Sequence, residues 1–186
     1  MSVDTQTFAD RFPEEASIVR RAFLVSFVAL GLGALFGIIQ ALHRTNVIRF
    51  IDSADYYTVL TAHGVLLVIV FTIFFLVGLY QWAITRSLER SPENIRFTKS
   101  WLTMMSVGSL MAGGSILLGF VDEVGVSADV LYTFYAPLQA HPLFYGGLVI
   151  FIVGTWIAGA DWFRTWLAWR KENDGERIPL QAFIDR

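Results

Sequence analysis

The chain has 186 residues, 55% hydrophobic and 16% charged, with a mean hydropathy of +0.55. Ordinary globular domains carry roughly 25% charged residues, so the length suits one soluble domain but the composition excludes it. The absence of cysteine excludes a disulfide framework, a thiolate metal site and a CxxC redox pair; the net charge of −2 by itself says nothing about a partner, and no nucleic-acid partner is expected.

The first twenty residues are polar and carry Asp4, Asp10, Glu14 and Glu15. A cleavable signal peptide starts short and basic, so the first apolar helix is expected to stay in the protein. We read residues 1–21 as a tail, 22–169 as a transmembrane region and 170–186 as a second tail or loop.

Four blocks are long and apolar enough to cross a bilayer, which takes about 20 residues each. They run over Ala22–Leu42, Tyr57–Ile84, Trp101–Val121, and from near Pro142 to about Ala160 or slightly beyond. A backbone in hydrocarbon must satisfy its own hydrogen bonds, so each block is a helix. The fold class is therefore an all-α membrane bundle of four transmembrane helices. Ser100 is the expected N-cap of the third helix, and Pro142 suits the first turn of the fourth, where its missing N–H is no loss.

Basic residues orient the bundle. Arg11, Arg20 and Arg21 precede the first span; Arg86, Arg90, Arg96 and Lys99 lie between the second and third; Arg164, Arg170, Lys171, Arg177 and Arg186 follow or end the fourth. Of the 14 lysines and arginines, only Arg44 and Arg49 fall on the other side. The positive-inside rule then places both termini in the cytoplasm, in the cell membrane. Gly33 and Gly37 in span one, Gly113, Gly114 and Gly119 in span three, and Gly146, Gly147 and Gly154 in span four are candidates for close helix packing.

Three histidines are the candidate ligands. His63, in Leu60-Thr61-Ala62-His63-Gly64-Val65, lies six residues inside the expected second span, roughly 9 Å deep at 1.5 Å per residue. An ionisable side chain there is a functional-site candidate, and imidazole is an axial ligand of haem iron. A histidine hydrogen-bonded to a neighbouring helix is the plain alternative. His43, beside Arg44, and His141, before Pro142, are read as interfacial polar residues. Asp161 is read as the partner of Arg164 one turn on. Trp156, Trp162, Trp166 and Trp169 are read as an aromatic belt.

Two stretches together carry a family likeness. Tyr56-Tyr57-Thr58-Val59-Leu60-Thr61-Ala62-His63-Gly64-Val65-Leu66 is similar to the second-helix motif of subunit I of the haem–copper oxygen reductases. Leu131-Tyr132-Thr133-Phe134-Tyr135-Ala136-Pro137-Leu138-Gln139-Ala140-His141 is similar to the loop before that subunit's fourth helix, in the form most like the B-type branch, with Ala136 where the family usually has a proline. Phe36-Gly37, Gln40-Ala41-Leu42 and Thr155-Trp156 extend the likeness, from about Glu14 to Leu180.

The resemblance implies that His63 is the axial ligand of a low-spin haem b, and that Tyr132 and Tyr135 lie near an active site without being catalytic. It implies no catalytic residue in this chain. A complete subunit would add a second haem and a copper on histidines absent here. It would work with its remaining helices, subunit II and a small donor of cytochrome c or cupredoxin type, passing electrons through haem b to reduce oxygen to water and translocate protons.

The tail, ending in Ile178-Pro179-Leu180, reads as the loop before a further helix, so the chain is expected to be the N-terminal part of an oxidase subunit that cannot complete the reaction alone. Nitric oxide reductases are the related alternative. The other readings are a small haem b carrier in which two copies of His63 share one haem, and a haemless structural or assembly protein.

Overall fold

The computed structural model describes residues 6–49, 51, 53–118 and 141–174. A short α1 (Phe8–Arg11) leads into α2 (Pro13–Arg44). The second span is built from α3 (Ser53–Gly64), a π-helical segment Val65–Phe71 and α4 (Thr72–Leu88). The third and fourth are α5 (Ile95–Leu118) and α6 (Pro142–Glu172). Among the described residues there is no strand, and four helices are long and apolar enough to cross a membrane: Pro13–Arg44, Asp55–Leu88, Ile95–Leu118 and Pro142–Glu172.

The helices run past their apolar blocks. At 1.5 Å per residue, the 32 residues of α2 extend roughly 48 Å, against about 30 Å of hydrocarbon. Pro13 and Pro142 each occupy the first turn of a helix, where no intrahelical donor is lost. The third helix starts earlier than its apolar block because Asn94 caps it: the Asn94 side-chain oxygen accepts from the backbone N–H groups of Arg96 (3.0 Å) and Phe97 (3.3 Å). Ser100, the expected cap, is inside the helix with its hydroxyl donating to the Phe97 carbonyl.

The π-helical segment has a register reason. Thr58, Val59 and Ala62 are buried before it, and Phe74, Val77, Gln81 and Thr85 after it. From Ala62 to Phe74 an unbroken α-helix would turn these stripes roughly 120° apart at about 100° per residue. A π-helix turns less per residue because each bond spans one residue more, and seven residues of it bring both stripes toward the bundle. The Thr72 hydroxyl donates to the Leu67 carbonyl five residues back.

Glycine decides how closely the helices approach. A Cβ on Gly147 would lie 2.6 Å from the Ala112 backbone nitrogen and 2.7 Å from the Gly108 carbonyl oxygen, and one on Gly154 3.1 Å from the Trp101 carbonyl oxygen. α5 and α6 therefore touch backbone to backbone, with Trp101, Met105, Phe151 and Ala158 buried along the seam. On the other side, a Cβ on Gly33 would meet Leu67 at 2.6 Å, and one on Gly78 would meet Ala22 and Phe23 at 3.2 Å. Gly113 and Gly114 have nothing within 4 Å of an added Cβ, so they do not act as packing glycines among the described residues. Gly119 lies outside those residues.

The bundle's outside is apolar and its inside holds polar groups. Leu110 is 75% exposed and Trp156 72%, while Gln81, Thr85, Thr98 and Asp161 are buried. This is a multi-pass membrane protein: lipid or neighbouring helices must cover a surface that water would not tolerate. The shared end of α2, α4, α5 and α6 carries ion pairs of Arg11 with Glu89 (3.3 Å), Lys99 with Glu14 (2.7 Å) and Arg90 with Glu172. These pairs are partly exposed and contribute little each.

Gly147→Ala should lower stability by about 1–3 kcal/mol, since neither neighbouring backbone atom can yield without parting the helices. Gly113→Ala should leave it unchanged within ~0.5 kcal/mol. Unfolding by SDS titration in mixed micelles measures both; equal losses would show that the α5–α6 seam is not close-packed.

Candidate functional site

His63 lies in the last turn of α3, eight residues after Asp55, so roughly 12 Å along the span, deeper than the apolar block alone suggests. It is half-buried, between buried Ala62 and Val65 in the sequence. Its Nδ1 lies 2.7 Å from the Gly33 carbonyl oxygen of α2. A carbonyl can only accept, so Nδ1 is the donor and bears the proton. In the neutral ring Nε2 then carries a free lone pair, the form in which imidazole binds a metal. A second hydrogen bond fixing tautomer and ring orientation is the usual support of a metal-ligating histidine.

The other two histidines are engaged differently. His141 is the N-cap of α6, and its Nδ1 accepts from the Leu143 backbone N–H at 3.2 Å. When neutral, its proton therefore sits on Nε2, opposite to His63. His43 packs against the Tyr56 ring, with centroids 5.0 Å apart and planes tilted by 32°. The structure does not bring the three together. Among the described residues no three His, Asp or Glu side chains converge on a possible metal position. Tyr132, Tyr135 and Ala136 lie outside the described residues, as does the tail beyond Asp174.

Beside α3, an apolar groove of about 590 Å³ opens between α2, the second span and α5. Its walls include Leu32, Phe36, Ala62, Leu66, Gly113 and Gly114. His63 is not among its lining residues, so the imidazole and the groove are separate features.

A second buried polar cluster was missed by the sequence reading. Asp161 is 4% exposed, and one carboxylate oxygen accepts from the Thr98 hydroxyl at 2.7 Å and the Trp101 indole N–H at 3.2 Å. It does not pair with Arg164, whose guanidinium instead stands over the Phe97 ring at 5.4 Å. A short buried acid takes a partner on the next helix rather than one turn on, because its helix face is turned inward.

Beside this cluster the Trp162 indole N–H donates to the Gln81 side chain at 2.9 Å, and Gln81 donates to Thr85 at 3.2 Å. Trp162 and buried Trp169 thus turn into the bundle, and Trp156 alone of the four is strongly exposed. The signal in the sequence was Gln81 and Thr85 on the same face as Phe74 and Val77.

A family model described as cytochrome c and quinol oxidase polypeptide I matches residues 17–184. Cytochrome c oxidase subunit 1 of Thermus thermophilus is 34% identical over 185 residues, covering 94% of this chain and 31% of that protein. A cryo-EM structure of a heme-copper terminal oxidase dimer superposes with a TM-score of 0.77 at 31% identity, covering 96% of this chain and 29% of that one. The chain spans about a third of the length of these relatives.

Asp161→Ala should cost about 1–3 kcal/mol by leaving the buried Trp101 indole N–H without its acceptor and the Thr98 hydroxyl with only the longer bond to the Asn94 carbonyl, at 3.3 Å. Asp161→Asn, which keeps an acceptor oxygen, should lose less. Unfolding followed by tryptophan fluorescence tests the order; if Ala and Asn cost the same, the carboxylate is not the clamp between α5 and α6.

Proposed function

Because the chain belongs to the cytochrome c and quinol oxidase polypeptide I family, we propose that it forms the N-terminal part of the catalytic subunit of a terminal respiratory oxidase, with His63 the axial ligand of a low-spin haem b. The observation that carries this reading is the hydrogen bond from His63 Nδ1 to the Gly33 carbonyl. It leaves Nε2 as the one free donor nitrogen on a histidine deep in a span. His141 accepts through Nδ1 and sits at a helix end, and His43 stacks on Tyr56 near the end of α2.

The residues present fit a haem ligand in chemistry as well as placement. An imidazole whose other nitrogen donates to a backbone carbonyl is a better electron donor to iron. When bound, a haem supplies one-electron transfer. The chain's own part is to hold the ring, fix the proton on Nδ1 and keep the surroundings apolar through Ala62 and Val65. In the complete subunit the remaining helices would supply the other ligand of that haem and would hold a second haem and a copper. Electrons enter from a small donor protein, with subunit II as neighbour, and oxygen reduction is coupled to proton translocation in the complete enzyme.

We place the bilayer across residues 22–169 of a cell membrane, with both termini cytoplasmic. The support is the clustering of arginine and lysine at one end of the bundle, the end that holds Arg11, Arg90 and Lys99 in ion pairs.

His63→Ala should abolish the low-spin b-type absorption and EPR signals, while His43→Ala and His141→Ala should keep them. Persistence of the low-spin signal in His63→Ala would sink the assignment.

Orientation is tested with single cysteines at exposed Thr45 and Ser91, in a chain that has no native cysteine. In intact spheroplasts, a membrane-impermeant maleimide should label Thr45→Cys and should reach Ser91→Cys only after lysis. The reverse pattern would invert the topology.

A further inference from the structure

Gly37 lies one turn beyond Gly33 on α2, and the His63 ring covers it. A Cβ there would stand 2.7 Å from His63 Cε1, 2.9 Å from Nδ1 and 3.6 Å from Nε2. Gly31, on the same helix, has nothing within 4 Å of an added Cβ. The absence of a side chain at position 37 is therefore filled by the imidazole itself. This imidazole cannot simply swing aside, because Nδ1 is held to Gly33 at 2.7 Å.

The two glycines do different things. Gly33 lets the second span come close, since its own Cβ would meet Leu67 and Leu66, and it offers its carbonyl to His63. That carbonyl also accepts the helical N–H of Gly37, as any carbonyl four residues back does in an α-helix. Gly37 leaves the ring room to reach it.

We infer that Gly37 is a positioning residue that sets the strength of the His63–Gly33 hydrogen bond and, through it, the reduction potential of the iron that His63 holds. The inference rests on the reading of His63 as a haem ligand. Donation from Nδ1 to a carbonyl makes the imidazole a stronger electron donor to iron and favours the oxidised form. A methyl group at position 37 pushes the ring away from α2, lengthens that bond and weakens the effect. The ferric form is then less favoured, and the potential rises.

The experiment uses the haem-loaded protein purified in detergent from its own membrane, as wild type, Gly37→Ala, Gly31→Ala and His63→Ala. Redox titration followed at the haem b absorption band, with EPR of the ferric form, reads the outcome. Gly37→Ala should shift the oxidised-to-reduced ratio at fixed potential about tenfold toward reduced, which is ~59 mV for one electron, and should move the low-spin g-values. Gly31→Ala makes the same residue change on the same helix and should do neither.

A Gly37→Ala protein that holds low-spin haem with wild-type potential and g-values would overturn the inference and leave the ligand reading standing. Low-spin haem surviving in His63→Ala would remove the ligand reading and this inference with it. Should Gly37→Ala fail to hold haem, proton ENDOR on the wild type decides. A coupled Nδ1 proton that exchanges slowly in deuterated buffer supports the bond to Gly33, and one that exchanges at once overturns it.

Discussion

Hydrocarbon offers no water to a polar group, and the organisation of this chain follows from that. Backbone polarity is absorbed by four long helices. Side-chain polarity is absorbed by turning it inward, so that Thr98, Gln81, Asp161 and His63 each find a partner on their own or a neighbouring helix. Apolar side chains such as Leu110 and Trp156 then face outward, where a soluble protein would place its charges.

The same constraint explains why glycine matters more here than bulk. Lipid tails are as apolar as leucine, so burying leucine gives helices little reason to associate, and close contact and hydrogen bonds must supply it. α5 and α6 meet at Gly108, Gly147 and Gly154 and are clamped at one end by Asp161. α2 and the second span meet at Gly33 and Gly78. The π-helical segment between α3 and α4 lets one span present both of its inward stripes. It begins directly after Gly64, so the turn that carries His63 is the last regular α-helical turn before the register changes.

A hydrogen bond to a neighbouring helix, the plain explanation of a membrane histidine, turns out to be part of the argument for a ligand. The partner is a carbonyl, and this puts the proton on Nδ1 and frees Nε2. His141 shows the converse arrangement: an N–H on the other side of Nδ1 fixes the opposite tautomer and makes that ring a helix cap.

The number of spans and their helical nature were legible from the chain alone, because block length and apolarity depend only on the order of residues, and the depth of one ionisable residue singled out His63 as the candidate to test. The match of the family model over residues 17–184 belongs to the same kind of information. The three-dimensional arrangement decided the rest. Asp161 pairs with Thr98 and Trp101 rather than Arg164, Asn94 caps α5 in place of Ser100, Gly113 and Gly114 pack against nothing among the described residues, and a π-helix interrupts the second span. Each of these depends on which helix faces which, at what height and rotation, and neither local spacing nor hydropathy carries that. Which nitrogen of His63 holds the proton was settled by one carbonyl thirty residues away in the chain and 2.7 Å away in space.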